Sequence, residues 1–124
     1  EDEQPTIPDV IIEKENLIIN PPVTEQINWD QAEFFFGQEK IVCGEIIDSY
    51  FSAEGAQTTY LYLGRTFPDI DRFSIVIFKG DRRKFGDEPE TTYLGEKVCV
   101  TGEIVTYEGG AEIILSDPLN LSLP

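Results

Sequence analysis

A glycine-centred phrase occurs twice in this chain, and it limits the possible folds more than any other feature. Residues 40–50 read KIVCGEIIDSY and residues 97–107 read KVCVTGEIVTY. Both segments alternate apolar and polar residues, so one face of each strand lies against a core. Gly44 and Gly102 stand where a side chain would be expected, which predicts that each strand bends or bulges there. Two long, bent strands in 124 residues indicate a small, closed or nearly closed β-barrel.

Five strands are predicted in total, at about 39–52, 58–64, 73–79, 96–107 and 111–117. The connection between the third and fourth strands contains two glycines and one proline before it closes at Gly95, so it has room for a helical turn or two at most. A Glu-Gly-Gly turn joins the last two strands as a hairpin. Three strands, an irregular connection and a hairpin follow the order of the OB-fold. The predicted fold class is therefore all-β, a five-stranded OB-fold Greek-key barrel with a short N-terminal helix and an extended acidic leader.

The N-terminal part of the chain is expected to divide into a leader and the start of the domain. Residues 1–27 contain four prolines and are rich in acids, which predicts an acidic, partly ordered leader. Its VIIEKENLII segment could add a strand or a hairpin to the barrel. The OB-fold domain is assigned to residues 28–124.

A short helix is predicted over residues 28–37, NWDQAEFFFG, because Asn28 is a suitable N-cap and a glycine ends the segment. Trp29, Ala32 and Phe36 fall near one face of such a helix. We expect these three side chains to close one end of the barrel.

The charge distribution bears on the partner. The net charge is −15, which disfavours nucleic acid because phosphate binding depends on Lys and Arg displacing counterions. Six of the nine cations nevertheless lie within residues 65–86, where they outnumber the acids by three. This cluster is either a solvated hairpin with ordinary surface charge or a local anion-facing patch.

The residues needed for common catalytic and metal chemistry are missing. The sequence contains no His, so triad and acid–base catalysis lack their usual central residue. Two cysteines cannot by themselves form a structural zinc site. Asp69 and Asp71 supply too few oxygens for Ca²⁺, and a turn in which Asp bonds its own backbone is favoured there. We expect no enzymatic activity, no metal and no cofactor.

Three strings in the chain resemble a known family. WDQAEFFFGQEKIVCGEI, FPDIDRFSIVIF and YLGEKVCVTGEIVTYEGGAEIILSDP are similar to a bacterial OB-fold family of the nucleic-acid-binding, tRNA-anticodon-like type. The resemblance covers about residues 28–120 and departs from the family pattern at Glu96, which stands between Gly95 and Lys97. Members occur in extracytoplasmic lipoproteins and beside nuclease-type domains. The resemblance implies binding of single-stranded nucleic acid and an extracytoplasmic location, either secreted or lipoprotein-anchored.

The ligand site is predicted on strands two and three, the face that OB-folds use. If Leu61 and Leu63 point inward, Tyr60 and Tyr62 point outward. Aromatic rings beside cations form a stacking platform for single strands, worth about 1–3 kcal/mol per base. The candidate ligand-binding residues are Tyr60, Tyr62, Arg72, Phe78, Lys79, Arg82, Arg83 and Lys84. The alternative is that these rings are buried under the leader or under the connection before strand four.

The run Arg82-Arg83-Lys84 has two possible roles. As a loop it could hold a phosphate or a carboxylate. It could equally pair with the acids at the start of the leader, Glu1, Asp2 and Glu3, and so block the site in the same chain.

The two cysteines are expected to form a disulfide. Alternation points Cys43 and Cys99 outward, and strands one and four are neighbours in an OB-fold, so the thiols can face each other. The resemblance to extracytoplasmic proteins favours this bond over two unrelated reduced thiols. Such a bond requires an oxidising compartment.

Taken together, these features predict a non-enzymatic binding module for single-stranded nucleic acid or an oligonucleotide. The alternative is a structural or adaptor domain that binds a protein through the same face. The acidity favours the adaptor, and the cation cluster with its aromatic residues favours the nucleic-acid module.

Overall fold

The longest strand among the described residues is shared between two pairings, and this sharing builds the barrel. The structure is a computed structural model that describes residues 24–123. Its strands are β1 (Gln26–Asn28), β2 (Glu39–Phe51), β3 (Thr59–Leu63), β4 (Phe73–Ile77), β5 (Lys97–Glu103), β6 (Val105–Tyr107), β7 (Gly110–Ile114) and β8 (Leu121–Ser122). The helical segments are a 3₁₀ helix at Trp29–Phe34, a second at Lys79–Phe85, the single α-helical turn α1 (Pro89–Thr92) and a third 3₁₀ helix at Pro118–Asn120.

Strand pairing closes the sheet on itself. The first half of β2 pairs antiparallel with β5, and its second half pairs antiparallel with β3. β3 pairs antiparallel with β4, β4 runs parallel to β7, and β7 pairs antiparallel with β6. Since β6 continues β5 after one residue, the segment 97–107 contacts β2 at one end and β7 at the other. The predicted five-stranded OB-fold barrel is confirmed, with β5 and β6 together forming its fourth strand.

The two repeated glycines are sites of close packing. A Cβ atom at Gly44 would lie 2.8 Å from Cδ1 of Trp29, and one at Gly102 would lie 2.7 Å from Cγ2 of Ile113. Both distances are shorter than van der Waals contact, so the barrel wall can curve this tightly only without those side chains. The pairing irregularity in β2 lies a little further along, between Ile46 and Asp48.

The core fills the inside of the barrel with aliphatic side chains and two phenylalanines, Phe73 and Phe85. The inward direction predicted for Leu61 and Leu63 is confirmed. The inward positions of β3 and β4 are all fully buried: Thr59, Leu61, Leu63, Phe73, Ile75 and Ile77. The largest fully buried side chains are Phe73, Ile46, Leu61, Leu63, Ile75, Ile77, Ile104, Ile113, Leu115, Val42, Val98 and Val100. Residues that alternate with them on β3 and β4 are therefore left on the outer face.

The first 3₁₀ helix closes one end of the barrel. The backbone N–H of Asn28 donates to Oε1 of Gln31 at 3.0 Å, as in a capping box. Ala32 is buried, and Trp29 and Phe35 pack against the core. Phe36 was predicted in this role but is 43% exposed. The helix ends at Phe34, so the helical spacing that placed Phe36 on the inner face no longer applies.

The ends of the described region differ slightly from the predicted boundaries. β1 begins at Gln26 and pairs in parallel with β2. The barrel therefore has an extra strand just before the predicted domain start. Residues 1–23 of the leader, including the VIIEKENLII segment and the acids at residues 1–3, lie outside the described residues. Between residues 24 and 123, no helix has the length and apolar character needed to cross a membrane.

Candidate functional site

Three tyrosines form a row on the outer face of β2 and β3. Tyr50 lies opposite Tyr60 across the two strands, with ring centroids 6.2 Å apart and planes inclined by 21°. Tyr60 and Tyr62 are two residues apart on β3, with centroids 6.1 Å apart and planes inclined by 9°. We call these three residues the tyrosine row. Tyr50 is 56% exposed, whereas Tyr62 is 6% exposed, so the row runs from solvent into a recess.

The recess at the buried end of the row is a pocket of about 190 Å³. The connection between β3 and β4 supplies one wall, and the turn between β6 and β7 supplies another. Its lining residues are Tyr50, Tyr60, Tyr62, Phe67, Arg72, Ser74, Tyr107, Glu108 and Glu112. We call this the aromatic pocket. Aromatic rings dominate its surface, and three charged side chains are placed among them.

Arg72 connects the two loops that frame the aromatic pocket. It is only 4% exposed. Its Nη1 donates to the carbonyl of Asp69 at 2.9 Å, and its Nη2 donates to the carbonyl of Tyr107 at 3.5 Å. The guanidinium carbon lies 4.8 Å from the centre of the Phe67 ring, a cation–π contact. Its buried Nε–H has no hydrogen-bond partner among the described residues. A buried donor without a partner costs stability, unlike the two Nη groups, which are bonded to carbonyl oxygens.

The environment of the pocket changes the titration of its acids. Burial raises the pKa of Tyr62 to about 12, with smaller contributions from neighbouring groups. Burial also raises the pKa of Tyr60. The pKa of Glu112 is raised by burial, against an opposing effect of the Arg72 charge. The tyrosine hydroxyls are therefore neutral donors at pH 7, and the Glu112 carboxylate is partly stripped of water.

The turn before β4 behaves as the sequence predicted. The backbone N–H of Asp71 donates to Oδ1 of Asp69 at 2.9 Å, so the Asp69 side chain accepts from the backbone two residues later, as expected for this turn. Among residues 24–123, no group of three or more His, Cys, Asp or Glu side chains could hold a metal ion.

The structure brings together only part of the predicted ligand-binding set. Tyr60, Tyr62 and Arg72 line the same pocket. The other five predicted residues, Phe78, Lys79, Arg82, Arg83 and Lys84, do not line it. β4 begins beside the pocket at Phe73 and leads away from it, and these five residues follow its far end. They were predicted to form one site with the tyrosines, and the structure corrects this. The five residues of β4 separate its two ends, so only the end next to Arg72 borders the pocket.

Arg82 in particular is already engaged within the fold. Its guanidinium donates to both carboxylate oxygens of Glu90, at 2.8 and 3.1 Å, and to Oγ1 of Thr59 at 2.6 Å. It also lies 3.6 Å from the centre of the Phe51 ring. These bonds lower the pKa of Glu90. Arg82 therefore fastens the second 3₁₀ helix and α1 to the barrel.

The other four predicted residues after β4 differ in their contacts. Lys84 donates to Oδ1 of Asp81 at 2.9 Å and to the carbonyl of Ser116 at 3.2 Å. Phe78, Lys79 and Arg83 are exposed. The proposed pairing of the cation run with the leader acids falls outside the described residues.

Six residues that line the pocket were not predicted from the sequence: Tyr50, Phe67, Ser74, Tyr107, Glu108 and Glu112. A signal existed for Tyr50, because alternation along β2 puts it on the same outer face as Tyr60. Tyr107 precedes the hairpin turn that frames ligand sites in OB-folds. Glu112 gave no local signal, because its place in the pocket depends on strands β4 and β7 lying side by side. Phe67 gave none because it lies in the irregular connection between β3 and β4.

The two cysteines lie on the outer surface at another part of the barrel. Cys43 of β2 and Cys99 of β5 are direct partners in the strand register, with Cα atoms 4.1 Å apart, and their sulfurs are bonded. The neighbouring residues Val42, Val98 and Val100 are buried, as the alternation predicted.

The chain is similar to known proteins in structure but not in sequence. No protein-family model matches it, and no curated protein matches its sequence. An asparaginyl-tRNA synthetase of Entamoeba histolytica superposes with a TM-score of 0.53 at 12% identity, covering 82% of this chain and 24% of that one. An aspartyl-tRNA synthetase of the same organism gives 0.47 at 9% identity, covering 73% and 19%.

A third solved structure is the second OB-fold domain of replication protein A from Methanococcus maripaludis. It gives a TM-score of 0.45 at 15% identity, covering 78% of this chain and 94% of that one. The chain thus spans about a quarter or less of the two synthetases. At these identities the similarity concerns the fold alone.

Proposed function

We propose that this protein is a non-enzymatic OB-fold module that binds single-stranded nucleic acid or an oligonucleotide on the outer face of β3 and β4, the second and third strands predicted from the sequence, with Tyr50 of β2 beside them. The observation that carries this proposal is the tyrosine row leading into the aromatic pocket. Every base has a flat π face, so successive rings on a strand can stack bases without regard to sequence. The synthetase with the TM-score of 0.53 has the same fold and acts in tRNA chemistry, in agreement with such a ligand.

The charges around the site suggest how affinity would arise. The chain carries a net charge of −15, and the pocket has one cation, Arg72, beside two acids. Phosphate neutralisation is therefore a small contribution, and stacking is the main one. We expect a short site of a few nucleotides and moderate affinity.

The experiment is a fluorescence anisotropy titration of short labelled oligonucleotides with Tyr50→Leu. This residue is largely exposed, so the substitution removes a stacking ring without opening the core. We expect the Kd to rise about 5- to 100-fold, the equivalent of one stacked base. Phe34→Leu is the matched control, because Phe34 is 72% exposed and lies outside the pocket.

Equal loss of affinity in both variants, or no loss in either, would contradict the proposal. Failure of the unmodified protein to bind any oligonucleotide would favour the second candidate, an adaptor that binds a protein partner through this face. The strongly negative charge is the observation that favours that alternative.

We also propose an extracytoplasmic location, secreted or lipoprotein-anchored. The support is the bond between Cys43 and Cys99, because disulfides persist in oxidising compartments and are rare in the cytosol.

A further inference from the structure

Of the three charged side chains that line the aromatic pocket, Arg72 and Glu112 have opposite signs and lie at the paired strands β4 and β7, and the stacking function does not require them. Glu112 on β7 is half-buried and lies opposite Ser74 on β4. Arg72 is at the start of the same strand pair and is nearly fully buried. Burying charges is costly unless they are paired or used, and the structure shows no hydrogen bond from Arg72 to Glu112.

The hydrogen-bonding capacity left at these two groups is specific. A guanidinium has five N–H donors, and Arg72 uses two of them on carbonyl oxygens. Its Nε–H is buried without a partner among the described residues. The Glu112 carboxylate can only accept hydrogen bonds when it is charged. The pocket therefore offers a ligand a donor group and an acceptor group between aromatic walls.

The size of the pocket limits the ligand. At about 190 Å³ it is smaller than the about 300–1,000 Å³ typical of pockets for drug-sized ligands. This space suits one heteroaromatic ring system with its exocyclic groups, not a stacked pair. The flat walls of Tyr60, Tyr62 and Phe67 favour a planar ligand.

We propose that the aromatic pocket selects a single base that carries an amino group and a carbonyl oxygen, guanine or cytosine, over thymine or uracil. Glu112 accepts from the amino group and Arg72 donates to the carbonyl oxygen. This is the pairing chemistry by which Arg reads guanine and carboxylates read the cytosine amino group. Thymine and uracil present two carbonyl oxygens around one N–H, so one carbonyl would face the carboxylate. This inference rests on the proposed nucleic-acid function and adds base selectivity to it.

The test is a titration with pentathymidylate and three versions of it in which the central base is guanine, cytosine or hypoxanthine. We expect guanine and cytosine to bind about tenfold or more tightly than thymine, since each good pair discriminates by about 1–3 kcal/mol. Hypoxanthine keeps the guanine ring but lacks its amino group, so it should lose most of this advantage.

Glu112→Gln identifies the residue responsible. It keeps the shape of the side chain and replaces one acceptor oxygen by a donor, so the preference for guanine and cytosine should disappear. Glu103→Gln is the matched control, because it makes the same charge change on an exposed residue outside the pocket and should keep the preference. Circular dichroism verifies that both variants are folded.

Equal affinity of the unmodified protein for all four central bases would overturn the inference, and so would an unchanged preference in Glu112→Gln. If binding is equal across bases but still weakened by Tyr50→Leu, the proposed function stands and only the selectivity is wrong. If no oligonucleotide binds, both proposals are wrong.

Discussion

The most tightly constrained residue in the described chain is Gly64, directly after β3. Its φ angle is +77°, and a Cβ atom at this position would lie 2.1 Å from Cε2 of Trp29. The left-handed backbone and the absence of a side chain are both needed for Trp29 to close the barrel end. The sequence shows Gly64 only as the residue at the end of a strand, so its contact with an indole 35 positions earlier was not predictable.

Gly64→Ala should therefore destabilise the protein strongly. A non-glycine residue in the left-handed region costs about 1–2 kcal/mol, and forcing an atom into a packed site costs about 1–3 kcal/mol more. We expect a loss of about 2–5 kcal/mol in the free energy of unfolding, measured by urea denaturation. Gly55→Ala is the control, because its nearest neighbour to the new Cβ is at 3.7 Å. Equal denaturation midpoints for the two variants would show that Trp29 does not occupy this site.

At the scale of elements, strand lengths decide which residues meet. β2 has 13 residues, which is enough to pair with β5 through one half and with β3 through the other. β4 has five residues, and its two ends carry different features, the pocket with Arg72 at one and the cation run at the other. The run was expected to serve the tyrosines, but the course of β4 carries it away from them. Arg82 instead holds α1 through Glu90.

The bond between β2 and β5 should contribute to stability. Cys43 and Cys99 are 56 positions apart, and closing a loop of that length stabilises by about 4 kcal/mol in the chain-entropy model. We expect the double variant Cys43→Ser, Cys99→Ser to lose about that much in free energy of unfolding. Thiol alkylation of the unreduced protein followed by mass spectrometry should find neither cysteine labelled. Labelling of both cysteines would show that the disulfide is absent, and the proposed extracytoplasmic location would lose its support.

At the scale of the whole molecule, the charge of −15 and the site charges together set the response to salt. Proteins that neutralise six to ten phosphates lose about 10³–10⁵ in affinity between 50 and 200 mM salt. With one cation in the pocket, the logarithm of the affinity for a single strand should change with the logarithm of the salt concentration with a slope of about −0.7. Screening of the overall repulsion between two negative molecules reduces this slope further.

We therefore expect oligonucleotide affinity to fall by about threefold or less between about 50 and 200 mM salt, a range in which multiple phosphate contacts would give a far larger loss. The measurement is the anisotropy titration at both salt concentrations. A loss of about a hundredfold or more would mean that several cations bind phosphates. The cations of the Lys79–Phe85 helix would then have to be counted among the contact residues.

The sequence alone determined the barrel and the direction of its side chains, because alternation and strand order are local properties. Leu61 and Leu63 had to be buried, and Tyr60 and Tyr62 therefore faced outward. Tertiary structure decided the composition of the pocket, since closure of the barrel places Glu112 of β7 beside β4. The same closure carries Tyr107 to within reach of Arg72, 35 positions away. Such long-range neighbours follow from pairing and closure of whole strands, which no stretch of the sequence encodes by itself.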